Sequence, residues 1–296
     1  MGGSIRLIGK VGVAAAAIAL LWTPAAQAGG QLGTGFATKT NTVAVTGTGA
    51  IGSSTATCPK RTRAVSGGFA TSPNPTLFSA PSRVPVIYET HRAGPRAWIV
   101  SVSNLGSGTT NLTTLVYCRA EKTKEVVSSV PINGAGRAAS NAVATCPKGT
   151  KVLSGGYQLP PLESGGSLVY PTMNQPSGPS AWSVIGVRTT TAGAAGTVTS
   201  YAYCAKSAGG GSKQKTVVAN GAAGTNVYLG VTTQPCQKSK RATGGGFTAP
   251  FVDSGSIRDV AYVTTLERSG RAWRAFAIDF GALSQVSLTA IAVCRP

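Results

Sequence analysis

Counting back by two from Cys118, Cys204 and Cys294 places Val116 and Thr114, Ala202 and Ser200, and Ala292 and Ala290 on one side of each segment. This is the period-2 alternation of a strand with one covered face. Three other segments, "RAWIVSV" from Arg96, "SAWSVIG" from Ser180 and "RAWRAFA" from Arg271, are apolar at both parities: Ile99 with Val100, Val184 with Ile185, Ala275 with Phe276. They read as central strands covered on both faces, with Trp98, Trp182 and Trp273 in the core. Elsewhere short runs of Val, Thr, Ile and Tyr are broken by Gly, Pro, Ser and Asn, and no helical period is sustained after Ala28. The whole of this region is predicted to be β.

The strands recur in threes. "CPKRTRAVSGGF" begins at Cys58, "CPKGTKVLSGGY" at Cys146 and "CQKSKRATGGGF" at Cys236. Each is followed by a tryptophan segment and then by a closing cysteine, and preceded by an opening strand: "TVAVTG", "EVVSSVPI" and "KTVVANG". The period defines β repeats at 41–120, 124–206 and 214–296, after a linker at 29–40. An all-β fold of three antiparallel repeats, each of about 80 residues, admits two architectures. In one, three sheets face a shared axis as a pseudo-three-fold β-prism; in the other, three small β-sandwiches follow in tandem. Short linkers and the modest apolar content of each unit favour the prism.

Residues 1–28 stand apart. Arg6 and Lys10 precede the apolar run "VGVAAAAIALLW", then Pro24 and "AQA" at Ala26 to Ala28. This is the form of a secretory signal peptide, too short to span a bilayer. A secreted, extracellular or cell-wall-associated protein is expected, with no transmembrane segment in the mature chain. Export to an oxidising compartment turns the six cysteines into disulfides rather than metal ligands. Two pairings respect the period. Each repeat closes on itself (Cys58 with Cys118, Cys146 with Cys204, Cys236 with Cys294), or each closing cysteine reaches the next opening one and Cys294 returns to Cys58. The first is expected, because it lets each loop close locally. No metal or cofactor is expected: there is no C-x-x-C, and His91 is the only histidine.

Charge then singles out the cysteine motifs. Removing residues 1–28 takes two of the 27 Lys and Arg and none of the 8 acids, leaving 25 − 8 = +17. Such an excess points to polyanions. Cations stand two and five residues after every opening cysteine: Lys60 and Arg63, Lys148 and Lys151, Lys238 and Arg241. More follow the closing cysteines: Arg119, Lys122 and Lys124, then Lys206, Lys213 and Lys215, then Arg295. A disulfide of either pairing draws an opening cluster beside a closing one, and three-fold symmetry would gather the pairs into basic lobes at one end.

Other motifs carry less. "GTGAIG" at Gly47 has the spacing of a dinucleotide fingerprint but lacks the following helix and the acid about 20 residues on, so it reads as a turn. The glycine pairs at Gly67, Gly155 and Gly245 mark a bulge or a tight approach between sheets. Tyr117, Tyr201 and Tyr203 are candidates for exposed aromatic positions. No acid recurs at an equivalent place in all three repeats. Asp253 with Asp259 or Glu267, and Glu89 with His91, are the only carboxylate or acid–base couples worth naming, and a non-enzymatic protein is expected.

The C-P-x-G-x-x-x-x-x-G-G stretch with its aromatic and later cysteine resembles repeats of secreted bacterial proteins of unknown function. More distantly it is similar to the vitelline membrane outer layer family, and that resemblance implies a three-sheet β-prism and no catalytic residue. Gly149 keeps the motif only in the second copy, and Gln237 replaces its proline in the third. The functional expectation is a secreted binding protein for an anionic wall polymer or acidic glycan, with nucleic acid bound non-specifically if at all. A structural or protective surface protein and a neutral-glycan lectin are the alternatives.

Overall fold

The structure is a computed structural model that describes residues 37–72, 84–132, 139–162, 167–188, 195–206, 211–220, 225–249, 252–253, 258–259, 261–282 and 285–295. The signal peptide predicted at 1–28 lies outside the described residues, as do Arg83, Arg137 and Glu163. The first repeat supplies β1 (Ala37–Thr46), β2 (Ala50–Thr57), β3 (Arg63–Ser72), β4 (Pro85–Gly94), β5 (Ala97–Asn104) and β6 (Thr109–Arg119). The second supplies β7 (Lys124–Ile132), β8 (Ala139–Thr145), β9 (Lys151–Gln158), β10 (Val169–Pro176), β11 (Ala181–Arg188) and β12 (Gly196–Ala205). The third supplies β13 (Ser212–Asn220), β14 (Thr225–Thr232) and β15 (Arg241–Thr248), a short ribbon of β16 (Val252–Asp253) and β17 (Arg258–Asp259), then β18 (Tyr262–Ser269), β19 (Ala272–Ala282) and β20 (Gln285–Arg295). Thus β1 starts four residues ahead of the boundary drawn from the repeat period.

Three six-stranded sheets result, and no sheet belongs to one repeat. Sheet I has the order β1-β6-β3-β18-β19-β14, sheet II β2-β5-β4-β9-β12-β7 and sheet III β13-β20-β15-β10-β11-β8. With the β16–β17 ribbon set aside, each repeat gives its first, sixth and third strands to one sheet and its fourth, fifth and second to another. The first repeat therefore pairs with the third in sheet I, the second with the first in sheet II, and the third with the second in sheet III. This cyclic exchange makes the β-prism, and tandem sandwiches with private cores are excluded. One core cluster accordingly runs through all three repeats, from Val45, Trp98 and Leu112 through Trp182 and Val198 to Trp273 and Leu288.

The glycine pairs mark where repeats meet. The second glycine of each pair lies on the joining strand: a Cβ on Gly68 would stand 2.2 Å from the Leu266 carbonyl oxygen, one on Gly156 2.2 Å from that of Thr90, and one on Gly246 2.0 Å from that of Asn174. Only a residue without a side chain lets β3, β9 and β15 approach β18, β4 and β10 so closely. The first glycine seats the tryptophan: a Cβ on Gly67, Gly155 or Gly245 would fall 2.2–2.4 Å from ring atoms of Trp98, Trp182 or Trp273. The bulges fall two or three residues earlier, at Val65, Leu153 and Thr243, so the tight-approach half of the expectation explains the glycines.

The tryptophans are buried as expected. The Trp98 indole N–H donates to Thr90 Oγ1 (2.9 Å) and that of Trp182 to Asn174 Oδ1 (2.6 Å). Leu266 holds the matching place in the third repeat, and the Trp273 indole N–H finds no acceptor among the described residues.

Two junctions carry a further lock. The Arg92 backbone N–H donates to the Tyr203 hydroxyl (2.7 Å) and that of Arg268 to the Tyr117 hydroxyl (2.8 Å), and each guanidinium lies 4.6 Å from the ring it covers. At the third junction Pro176 has no N–H to give and Val293 no side-chain oxygen to receive it, so donor and acceptor are lost together. Tyr117 and Tyr203 are therefore buried junction residues, which corrects their candidacy as exposed aromatics; burial also raises both phenol pKa values. Phe in place of either tyrosine leaves a buried N–H unpaired and should lower stability by about 1–3 kcal/mol, read from the urea midpoint. A change below a few tenths of that figure would deny the lock.

Candidate functional site

Antiparallel pairing decides where the basic clusters go. Within the first repeat, β1 starts opposite the end of β6 (Ala37 with Cys118), and β3 starts there too (Arg63 with Arg119). The repeats then join antiparallel, β4 to β9, β10 to β15 and β18 to β3, so the strand ends that carry the cysteines coincide in all three. The disulfides are Cys58–Cys118, Cys146–Cys204 and Cys236–Cys294, each with Cα atoms 5.6 Å apart, and all three mark the same end of the prism.

Each opening motif is a tight turn fastened at that end. The Thr62 N–H donates to the Pro59 carbonyl (3.2 Å), Thr150 to Pro147 (3.0 Å) and Lys240 to Gln237 (2.7 Å). Cys58, Cys146 and Cys236 donate their N–H groups to the hairpin carbonyls of Arg96, Ser180 and Arg271. Lys60, Lys148 and Lys238 occupy the second turn position with exposed side chains. In the first two turns the third position is left-handed, with φ 81° at Gly149 and 68° at Arg61, which explains the motif glycine.

The two sets of cations meet as the cysteines require. Arg63 is the register partner of Arg119, Arg241 of Arg295, and Lys151 of Ala205, which precedes Lys206. Lys124 pairs with Cys204 on the other side of β12. Lys60, Lys122, Lys124, Lys148, Lys151, Lys206 and Lys238 are exposed, and Arg63, Arg119 and Arg241 half-buried. Arg295 departs from expectation. It is buried, and its Nη1 lies 3.4 Å from Glu121 Oε1, whose other oxygen is 3.4 Å from Arg119 Nη1. It ties the third repeat to the segment that joins the first two and is a structural residue rather than a free cation.

Lysine and arginine have divided the work. Every described lysine, including Lys39 and Lys240 beyond the predicted set, lies at the disulfide end, and none has an acidic partner among the described residues. Several arginines of that end are engaged instead: Arg92 with Glu125, Arg274 with Glu267, Arg96 with the Cys58 carbonyl, and Arg268 over Tyr117, while Arg61 and Arg271 are exposed. Burial pulls the Arg268 guanidinium below its ordinary pKa. Sequence reasoning missed Arg92 and Arg268; their only signal is a position two residues ahead of the glycine that turns each hairpin, Gly94 and Gly270.

The acid–base couple named from sequence does form. His91 Nε2 is 2.8 Å from Glu89 Oε1, and Ser101 Oγ donates to Glu89 Oε2. The bond from His91 holds the Glu89 carboxyl below its usual range. The His91 ring stacks on Tyr201 with centroids 4.3 Å apart and planes 8° apart. Asp253 and Asp259 sit on the β16–β17 ribbon of the third repeat, which has no counterpart among the described residues of the other two. No protein-family model matches the chain, and no curated protein matches it. The likeness to eggshell outer-layer and bacterial repeat proteins therefore rests on the motif residues alone.

Proposed function

We propose that the protein binds an anionic polymer outside the cell through its disulfide end, without catalysis. The observation that carries this reading is the segregation of every described lysine, exposed or nearly so and free of acids, to one end of the prism. The turn tips present no large exposed apolar side chain: those exposed among the described residues are Ile51, Val127, Val143 and Val218, all on edge strands. Attraction without an inserting anchor suits a hydrated polymer better than a lipid surface. Nucleic acid would bind through phosphates alone, with little preference among sequences.

The test replaces Lys60, Arg63, Lys148, Lys151, Lys238 and Arg241 together by Ser. Affinity for heparin should fall about 100-fold or more, and the dependence of log affinity on log salt should flatten as fewer counterions are released. A control gives the same change of net charge at the opposite end, with Glu for Ala44, Thr46, Ile51, Ala139, Thr197 and Asn220, all exposed. Equal losses from the two folded variants would show net charge rather than a located site.

A further inference from the structure

The three-fold pattern is broken on one outer face, on the strands that carry Lys124 and Lys151 and lead into Lys206. On sheet II, Tyr201 lies between Val127 and Gly156. The matching residue on sheet I is Leu115, between Thr40 and Gly68, and on sheet III Ile291, between Gln214 and Gly246. Only sheet II has an aromatic ring there. His91, matched by Glu267 and Gln175 elsewhere, crosses the side-chain-free Gly156 to stack on Tyr201. The Tyr201 hydroxyl donates to Gln158 Oε1 at 3.0 Å, at the surface, and Val127 beside it is 48% exposed. Lys124 is three residues from Val127 along β7, about 10 Å by strand rise, and Lys151 and Lys206 end the next two strands.

We infer that this face is a sugar subsite, and that the polyanion taken by the protein carries pyranose rings along its backbone. One ring lies on the Tyr201 and Val127 platform, its polar edge toward the Gln158 amide, while anionic groups on neighbouring units reach Lys124, Lys151 and Lys206. An amphipathic ring beside free ammonium groups matches a polymer that alternates apolar sugar faces with fixed negative charge. The inference rests on the polyanion reading of the disulfide end and adds a polymer class to it.

Dextran phosphate and inorganic polyphosphate separate the two, since both are phosphate polyanions and only the first has sugar rings. Tyr201→Ala should weaken dextran phosphate about 5- to 10-fold, the size of a lost ring contact, with the salt slope unchanged and polyphosphate binding intact. Val127→Ser, at an exposed position that folding does not depend on, should act in the same direction more weakly, and it decides the matter if Tyr201→Ala does not fold. Equal loss on both polymers, or none on dextran phosphate, overturns the sugar subsite while leaving the lysine end in place. Failure of the wild type to bind either polymer overturns the lysine reading and this one together.

Discussion

Expressed alone, residues 124–206 should yield a chain with its disulfide but without cooperative structure. That repeat supplies β7, β12 and β9 to sheet II and β10, β11 and β8 to sheet III, and in both its half is three strands wide. Alone, β9 and β10 become open edges, and Tyr157 loses both the Phe247 ring against it and the Ile87 carbonyl to which its hydroxyl donates. A single cross-link stabilises by roughly 4 kcal/mol through the unfolded chain, which does not replace two half-sheets. Circular dichroism should show no sharp thermal transition, and amide proton shifts should be poorly dispersed. A cooperative melt with dispersed resonances would refute the interdependence of the repeats.

Alanine at Gly246 produces the largest loss expected from one methyl group. Its Cβ would stand 2.0 Å from the Asn174 carbonyl oxygen and 3.0 Å from the Gln175 Cα, both on the partner strand's backbone, which cannot rotate away. Either β15 and β10 part and lose their pairing, or the strain remains. Both outcomes cost about 3 kcal/mol or more. Gly94→Ala is the matched control, since nothing lies within 4 Å of that Cβ and the backbone is not left-handed; it should move the urea midpoint hardly at all. Equal shifts from the two would mean that the junction is looser than its geometry.

Period and alternation made the strands, the repeats, the buried tryptophans and the disulfide pairing legible, because each is a local rule read along one segment. Strand partners are another matter. Nothing in "KVLSGGYQ" says that Tyr157 will lie opposite Thr90, since alternation names the buried face and is silent about which repeat covers it. The division of each repeat between two sheets followed only from the pairings. Tyr117 and Tyr203 misled for the same reason: they stand at the outward parity of β6 and β12, yet arginines from a neighbouring repeat close over them. The basic end was half visible. The cation spacing located the turns, while the coincidence of three turns at one end required the antiparallel joins, and the burial of Arg295 required Glu121 from the segment between the first two repeats. The sheet II face was visible only as a lone histidine and a tyrosine far apart in sequence.

The cyclic exchange of strands also sets an order of assembly. When only the first two repeats have been made, sheet II can be complete, while β3 and β10 remain as open edges. In the finished protein β3 receives a fourth strand of a repeat and β10 is such a strand. A two-repeat intermediate is thus self-complementary head to tail, a heterologous contact that grows until something closes it. The third repeat is what closes it: β15 and β18 cap both edges of the same molecule at once. Non-local pairing of this kind is slow to form, so the interval before those strands arrive is when this chain is most exposed to joining its own copies instead of itself.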